Sequence, residues 1–282
     1  SGSAALSHTS RQGAMTINPN LVLNDPLVIT RSGGVSTADA MTVNGSLSGT
    51  GALSLSLSGN RGVIAIAGGI NMVGSLTTTD TDANASYQYT TISGTIGNNV
   101  TSLTKNGPGL LTLSGSNNAY TGGTTINGGT VAADAAGALG AGNVSVAAGA
   151  LLKIASGLSV IDDGAVVNLL SNSGTYGVIE LGSGVSDTVA ALKFDGVSQA
   201  AGTWGATGSG ATHINDNYFT GAGVLNVEVP ATPYIFNVTE NASPEQILGI
   251  QGDQFGSSPE VWIDRIADSN DAPNPEIQIT DI

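Results

Sequence analysis

The chain has 282 residues, no cysteine and a formal net charge of −14. Nucleic acid and anionic membrane surfaces are therefore excluded as expected partners, because binding phosphate groups needs a cationic surface. No apolar run approaches the roughly 18 residues of a membrane-spanning helix, so the sequence predicts no transmembrane segment. With 41 glycines, 10% charged and 40% hydrophobic residues, the composition is typical of a stacked-strand protein rather than a disordered one.

Short apolar runs bracketed by glycine or asparagine predict β-strands along most of the chain, with no helical period between them. The clearest runs are Leu21–Leu23, Leu27–Ile29, Val63–Ile66, Ile70–Val73, Tyr87–Ile92, Leu151–Ile154, Val166–Leu170, Val178–Leu181 and Val189–Phe194. A chain that repeats this pattern is predicted to wind into an all-β parallel β-helix, or β-solenoid, over residues 1–231. At ~20–25 residues per turn, that region gives about nine or ten turns. No signal peptide opens the chain, and its first residues indicate a mature or truncated start.

Two groups of polar residues in the first hundred residues can be interpreted either as surface features or as functional sites. Asp80, Asp82 and Asn84 alternate oxygen donors like the first three positions of a calcium loop, but the following glycine and the distal glutamate are absent. We interpret this stretch as a polar turn, and calcium is the only cofactor that it suggests. Arg31 and Arg61 are expected to be a solvated surface pair on neighbouring turns, with a catalytic basic stripe as the alternative.

The segment Lys105–Val131 carries the most informative motif of the chain. Leu111 and Leu113, and then Thr124 and Ile126, alternate with period two, which places each pair on one face of a strand. The glycines and asparagines between these strands supply tight turns. A related pattern, Gly-x-Gly-x-apolar-x-apolar, starts at positions 49, 107, 140 and 221. The residues predicted to point into the solenoid interior are Leu111, Leu113, Ile126, Val144, Val146, Leu225 and Val227.

Residues 103–131 resemble the autotransporter-associated β-strand repeat of bacterial passenger proteins. That family's pattern runs roughly Lys-x-Gly-x-Gly, Leu-x-Leu-x-Gly, Asn-x-Tyr-x-Gly and Thr-x-Ile-x-x-Gly, and the chain meets almost every position of it between Lys105 and Val131. The resemblance implies a β-solenoid and export to the medium or to the surface of a bacterium. It implies no reaction.

Residues 194–229 resemble the closing unit that follows such repeats. This stretch holds Trp204, Tyr218 and Phe219, and we predict that these rings form a plug at the end of the solenoid. The alternative is that Trp204, Tyr218 and Trp262 contact a glycan. Aromatic rings that line one groove favour a glycan site, and burial of these rings argues against it.

Charge and proline content divide the chain near Pro230–Pro233, because over half of the net charge lies in residues 232–282. Residues 233–263 resemble the opening of an immunoglobulin-like domain of the IPT/TIG type, with Phe255-Gly256 and then Val261-Trp262-Ile263 as the matching positions. A β-sandwich of this kind needs ~100 residues, so residues 232–282 are interpreted as its beginning. We expect the native protein to continue beyond Ile282.

These features favour a structural or adhesive β-solenoid region of a large secreted or surface-exposed bacterial protein. The alternatives are part of a carbohydrate-active protein, such as a polysaccharide lyase or hydrolase, and a glycan-binding protein. No catalytic, cofactor-binding or metal residue is assigned, and we expect no hydrolytic or lyase activity from this chain alone, because residues 1–231 hold six basic residues, no cysteine, two dispersed histidines and no clear carboxylate pair. The partners considered are polysaccharides, cell-surface components and copies of the chain itself.

Overall fold

The computed structural model describes residues 2–10, 13–33, 39–59, 62–81 and 88–228. Within them the regular structure is all β without a helix, as predicted, and so they include no helix that could cross a membrane. The strands are β1 (Ala4–His8), β2 (Met15–Ile17), β3 (Leu21–Leu23), β4 (Leu27–Ser32), β5 (Ala40–Val43), β6 (Leu47–Thr50), β7 (Leu53–Ser58), β8 (Gly62–Ile66), β9 (Ile70–Asp80), β10 (Gln88–Ile92), β11 (Val100–Asn106), β12 (Leu110–Leu113), β13 (Thr124–Ile126), β14 (Thr130–Ala133), β15 (Val144–Val146), β16 (Leu151–Ile154), β17 (Val166–Leu169), β18 (Ser171–Asn172), β19 (Thr175–Tyr176), β20 (Val178–Leu181), β21 (Ser186–Val189), β22 (Ala191–Phe194), β23 (Val197–Ser198), β24 (Gly202–Gly205), β25 (His213–Ile214), β26 (Phe219–Gly221) and β27 (Val224–Val227).

The strands stack into parallel sheets that run the length of the solenoid. Sheet A contains β1, β4, β7, the second half of β9, β11, β13, β15, β17 and β22. Sheet B contains β2, β5, β8, β10, β12, β14, β16, β20 and β26, and the early turns add sheet C from β3, β6 and the first half of β9. Each turn of the chain contributes one strand to sheet A and one to sheet B, so backbone pairing joins every turn to the next.

One turn takes roughly 20 to 27 residues, because Thr124 lies beside Val144 and Leu76 lies beside Leu103. About eight turns stack within the described residues. The prediction of nine or ten turns was too high, because most residues after Phe194 form a cap, and only β26 continues a long parallel sheet.

The interior is an apolar column built from alternating residues of both long sheets. The predicted inward residues Leu111, Leu113, Ile126, Val144, Val146, Leu225 and Val227 are all buried, with at most 6% of any of them exposed. On a pleated strand every second side chain points to the same side, so the period-two pattern of the sequence converts directly into this column.

The two connections within a turn differ in how much their length varies. The connection that runs from sheet A to sheet B varies in length: it is short between the inward residues Ile126 and Val131, and it is long between Phe194 and Phe219. The return from sheet B to sheet A is nearly constant, as Leu111 to Ile126 and Val131 to Val146 show. We call the variable connection the A–B corner.

The C-terminal end of the solenoid is closed by strands that leave the parallel register. Strand β23 folds back antiparallel on β22, and β24 pairs antiparallel with β27. The ring of Phe194, at the end of β22, stacks on Tyr218 with 4.1 Å between ring centroids and meets Trp204 edge-on at 5.4 Å. The aromatic residues therefore pack as the plug that the sequence predicts. The proposed immunoglobulin-like segment 232–282 lies outside the described residues.

Candidate functional site

The strongest sequence motif surrounds a buried ion pair between two turns. Lys105 occupies an inward position of β11, and its Nζ lies 2.5 Å from Oδ2 of Asp80, which ends β9 in the preceding turn. Their side chains are 1% and 3% exposed. Nζ also donates to the carbonyl oxygens of Asn106 at 2.9 Å and Gly107 at 2.8 Å. Burial lowers the pKa of Lys105, whereas the hydrogen bond and charge of Asp80 oppose that shift.

The two glycines of the Lys-x-Gly-x-Gly pattern make room for Asp80. Gly107 has a φ of +78°, and a Cβ on it would lie 1.8 Å from the carbonyl oxygen of Asp80. The backbone N–H of Gly109 donates to Oδ2 of Asp80 at 2.9 Å, and a Cβ on Gly109 would lie 2.6 Å from the carboxyl carbon. Lysine and both glycines thus form one arrangement, in which a carboxylate from the turn below is received by a cation and a backbone donor.

The Asn-x-Tyr part of the motif also crosslinks turns from inside. Oδ1 of Asn118 accepts the N–H of Ile96 at 2.8 Å, and Nδ2 donates to the carbonyl oxygen of Ala138 at 2.7 Å. The hydroxyl of Tyr120 lies 2.7 Å from Oγ1 of Thr124, and burial raises the pKa of Tyr120 well above its usual range. Asn118 therefore ties its own turn to the turn before it and to the turn after it, and these polar residues act within the stack.

Residues 103–133 match the family model of the passenger-associated transport repeat. The transport repeat spans most of β11 and all of β12, β13 and β14, so it includes the cation, both glycines, Asn118 and Tyr120. No curated protein and no solved structure gave a significant match to the chain. The repeat and the surrounding β-solenoid agree with the resemblance to bacterial autotransporter passengers that the sequence indicated.

The aromatic residues considered for glycan contact lie inside the cap. Trp204 is 8% exposed and Tyr218 is 6% exposed. The indole N–H of Trp204 donates to the carbonyl oxygen of Ala200 at 2.9 Å, and His213 stacks on the indole with 4.6 Å between centroids. Neither ring offers an open face on which a sugar could stack, because both are packed against Phe194 and its neighbours. Trp262 lies outside the described residues.

Asp80, the first candidate calcium ligand, is already bound by residues of the transport-repeat motif. The carboxylate of Asp80 already contacts Lys105 and Gly109, which makes it an internal anchor rather than a free loop ligand. Asp82 and Asn84 lie outside the described residues. Among the residues that the structure describes, no three histidine, aspartate or glutamate side chains are placed to share a metal ion.

The expected surface position of Arg31 is wrong. Arg31 is fully buried at an inward position of β4, where Nε donates to the carbonyl oxygen of Asp39 at 2.8 Å and Nη1 donates to those of His8 and Ser32. Among the residues that the structure describes, no hydrogen-bond partner faces its Nη2. Arg31 follows Leu27 and Ile29 at every second position of β4, and this alternation places its side chain inside. Arg31 is therefore not part of a surface stripe, and Arg61 lies outside the described residues.

Sequence reasoning missed a second buried anchor, Asp187 on β21. Its carboxylate accepts hydrogen bonds from Oγ of Ser159 at 2.8 Å and from the N–H groups of Val160 at 3.0 Å and Ile161 at 3.1 Å, one turn below. Burial raises the pKa of Asp187, and these hydrogen bonds oppose the shift. Alternation with the buried Val189 was the available signal, since it places Asp187 on the inward face.

Proposed function

We propose that this chain is a structural passenger region of a secreted or surface-displayed bacterial protein, and that its β-solenoid holds an adhesive surface away from the cell. The observation that carries the proposal is the transport repeat at residues 103–133, lying within a continuous parallel stack. Its role is mechanical, because each turn is held by backbone pairing to its neighbours and by side-chain anchors inside the column.

The buried anchors support a structural role, because they fix the register between turns. A purely apolar column fixes neighbouring turns by packing, which tolerates small sliding movements. The Lys105–Asp80 ion pair and the two hydrogen bonds of Asn118 have directional geometry, so they hold one register between turns. Sheet pairing, packing and buried polar contacts therefore act together to make the stack resist bending.

Surface display is tested in the bacterium that encodes the chain. An antibody raised against residues 2–228 is applied to intact cells, to culture medium and to lysed cells, with a cytoplasmic protein as the control. We expect label on intact cells or in the medium and loss of the cell label after protease treatment of whole cells. Label confined to lysed cells would contradict export.

The adhesive part is tested by deleting the gene and measuring attachment of the cells to a surface. We expect attachment to fall and to return when the wild-type gene is restored. Restoration with Leu113→Asp should fail, because an unpaired charge in the column prevents stable stacking. Equal attachment of the parent, the deletion strain and both restored strains would contradict an adhesive role and leave only the structural one. The absence of lyase or hydrolase activity stays a prediction, checked by assaying ultraviolet-absorbing unsaturated ends and new reducing ends.

A further inference from the structure

The outer face of sheet B differs from an ordinary solvated surface. In each turn, the register aligns outward side chains into a column parallel to the solenoid axis. One such column contains Val63, Tyr89, Leu110, Leu151 and Val178, interrupted by a single threonine between the two leucines. Except for the buried Val63, these residues are partly exposed, so an apolar stripe runs along the outside of the protein.

A second outward column beside this stripe is rich in hydroxyl groups. Thr42, Thr91 and Thr112 lie in it, with Ala65 between the first two and Thr91 directly beside Thr112, and all three threonines are partly exposed. Over the turns from β5 to β14, neither outward column carries a charged side chain. The first charges are Lys153 and Glu180, and they neutralise each other across 2.6 Å. In a chain of net charge −14, this face is electrically neutral.

Sheet A shows that this pattern is not imposed by the fold. Over the turns from β7 to β15, its comparable outward column consists of Ser54, Thr77, Thr104, Thr125 and Ser145, and Val28 in the turn before β7 is its nearest aliphatic residue of comparable size. Both sheets have the same parallel spacing and the same apolar inner face. A solenoid can therefore cover five successive turns of an outer column with hydroxyl groups alone, and sheet B does not.

The dimensions of the sheet B face limit what it can hold. From β5 to β20 it is about 30 Å long, and strands of four residues make it about 13 Å wide, which gives roughly 400 Å². A stable protein–protein interface buries about 800 Å² on each partner, so the face is too small and too narrow for a second copy of the chain. Its long, narrow form suits an extended polymer.

An extended peptide is a poorer occupant than a polysaccharide. The backbone groups of sheet B already pair with neighbouring strands, so a peptide lying across the face would find no ladder to extend and would keep its own N–H and C=O groups unpaired. A pyranose ring presents an apolar C–H face with hydroxyls around its rim. That arrangement matches an apolar stripe flanked by threonine hydroxyls.

We infer that the outer face of sheet B binds a neutral, unbranched polysaccharide along the solenoid axis. The sugar faces pack on Tyr89 and Leu110, and the rim hydroxyls bond to threonines such as Thr112. The inference deepens the adhesive part of the proposed function and rests on it for its biological setting. The glycan contact is thus located on the outer face of sheet B and not on the buried cap rings Trp204 and Tyr218.

The test is a matched pair of arginine substitutions within one turn of the transport repeat. Thr112→Arg on β12 places a long cation across the sheet B face, and Thr104→Arg on β11 does the same on sheet A; both threonines point outward and are partly exposed. Isothermal titration of the 282-residue chain uses cellohexaose, maltohexaose and cellobiose as probes. Urea unfolding of each variant checks that the fold is kept.

We expect the wild type to bind a hexasaccharide more tightly than the disaccharide, and Thr112→Arg to weaken binding by about tenfold or more. Leu110→Ser should weaken it as well, and Thr104→Arg should leave it unchanged. Binding of no probe, or equal loss in both arginine variants, would overturn the inference. A concentration-dependent dimer that Thr112→Arg abolishes would overturn it in favour of a second copy. Because surface display is measured separately by antibody on cells, failure here is distinguishable from failure of the proposed function.

Discussion

Replacing Lys105 by methionine measures what the buried ion pair contributes to the stack. Methionine fills much of the aliphatic space of lysine but leaves the carboxylate of Asp80, 3% exposed, without its cation. Removing one partner of a buried pair typically costs about 3–5 kcal/mol, because the other charge stays buried and uncompensated. We therefore expect Lys105→Met to lower the free energy of unfolding by about 3–5 kcal/mol.

The measurement is urea unfolding of the 282-residue chain, followed by far-ultraviolet circular dichroism. The matched control is Lys153→Met, because Lys153 also lies 2.6 Å from a carboxylate, that of Glu180, but is 48% exposed. An exposed ion pair contributes about 0–1 kcal/mol, so Lys153→Met should lower the free energy of unfolding only slightly. Adding Asp80→Asn to Lys105→Met removes the stranded charge and should recover most of the loss. Equal losses in the two methionine variants, or no recovery in the double variant, would refute this reasoning.

Three further outcomes are expected. Gly109→Ala should destabilise the chain strongly, because its Cβ would lie 2.6 Å from the buried carboxyl carbon of Asp80. Gly69→Ala is the control and should have little effect, because the nearest atom to its Cβ would be 3.6 Å away. Comparable urea midpoints for the two variants would contradict the close contact between Gly109 and Asp80. Asp187→Asn removes a buried carboxylate whose pKa is raised above 3.8 in the folded state. As pH falls towards 3.8, the folded wild type takes up a proton before the unfolded chain does, so the wild type should gain stability relative to this variant. Urea midpoints of the two proteins that shift in parallel between pH 7 and pH 4 would argue against that burial penalty. In a Trp262→Phe background, Trp204 fluorescence should be blue-shifted and poorly quenched by acrylamide, and efficient quenching would contradict an indole that is 8% exposed.

The parallel column could be predicted because strand periodicity needs no tertiary information. Leu111 and Leu113 were assigned inward from alternation, and both are 0% exposed. Leu21–Leu23 and Leu151–Ile154 coincide with β3 and β16 for the same reason. Each run is short, alternates or is β-branched, and is bounded by turn residues, so local and global preferences agree.

The length of β9 could not be predicted from these signals. Ile70–Val73 was expected as one strand, but the structure continues it to Asp80. Gly74 has a φ of +149°, and a Cβ there would lie 2.8 Å from the N atom of Ala52. This glycine lets one strand pass from sheet C into sheet A without a turn. A glycine usually indicates a break, and here the close approach of the neighbouring turn decides otherwise.

The polar anchors were harder to predict because their role depends on the next turn. Asp80 was considered as a calcium ligand, and its actual partner, Lys105, lies one turn further along the chain. Likewise, the clustering of Trp204 and Tyr218 was visible, but the sequence did not show which faces of these rings Phe194 covers. Contacts between turns depend on register, and register follows from the length of each loop.

The variable A–B corner makes the solenoid tolerant of insertion. Because the return path from sheet B to sheet A keeps nearly the same length, extra sequence at the corner leaves the strands before and after it aligned with their neighbours. The hairpin of β18 and β19, inserted between β17 and β20, shows that a corner accommodates additional structure while the parallel stack continues. The stack is therefore a scaffold on which peptide segments can be gained, lost or grafted one corner at a time, with the core sequence left unaltered.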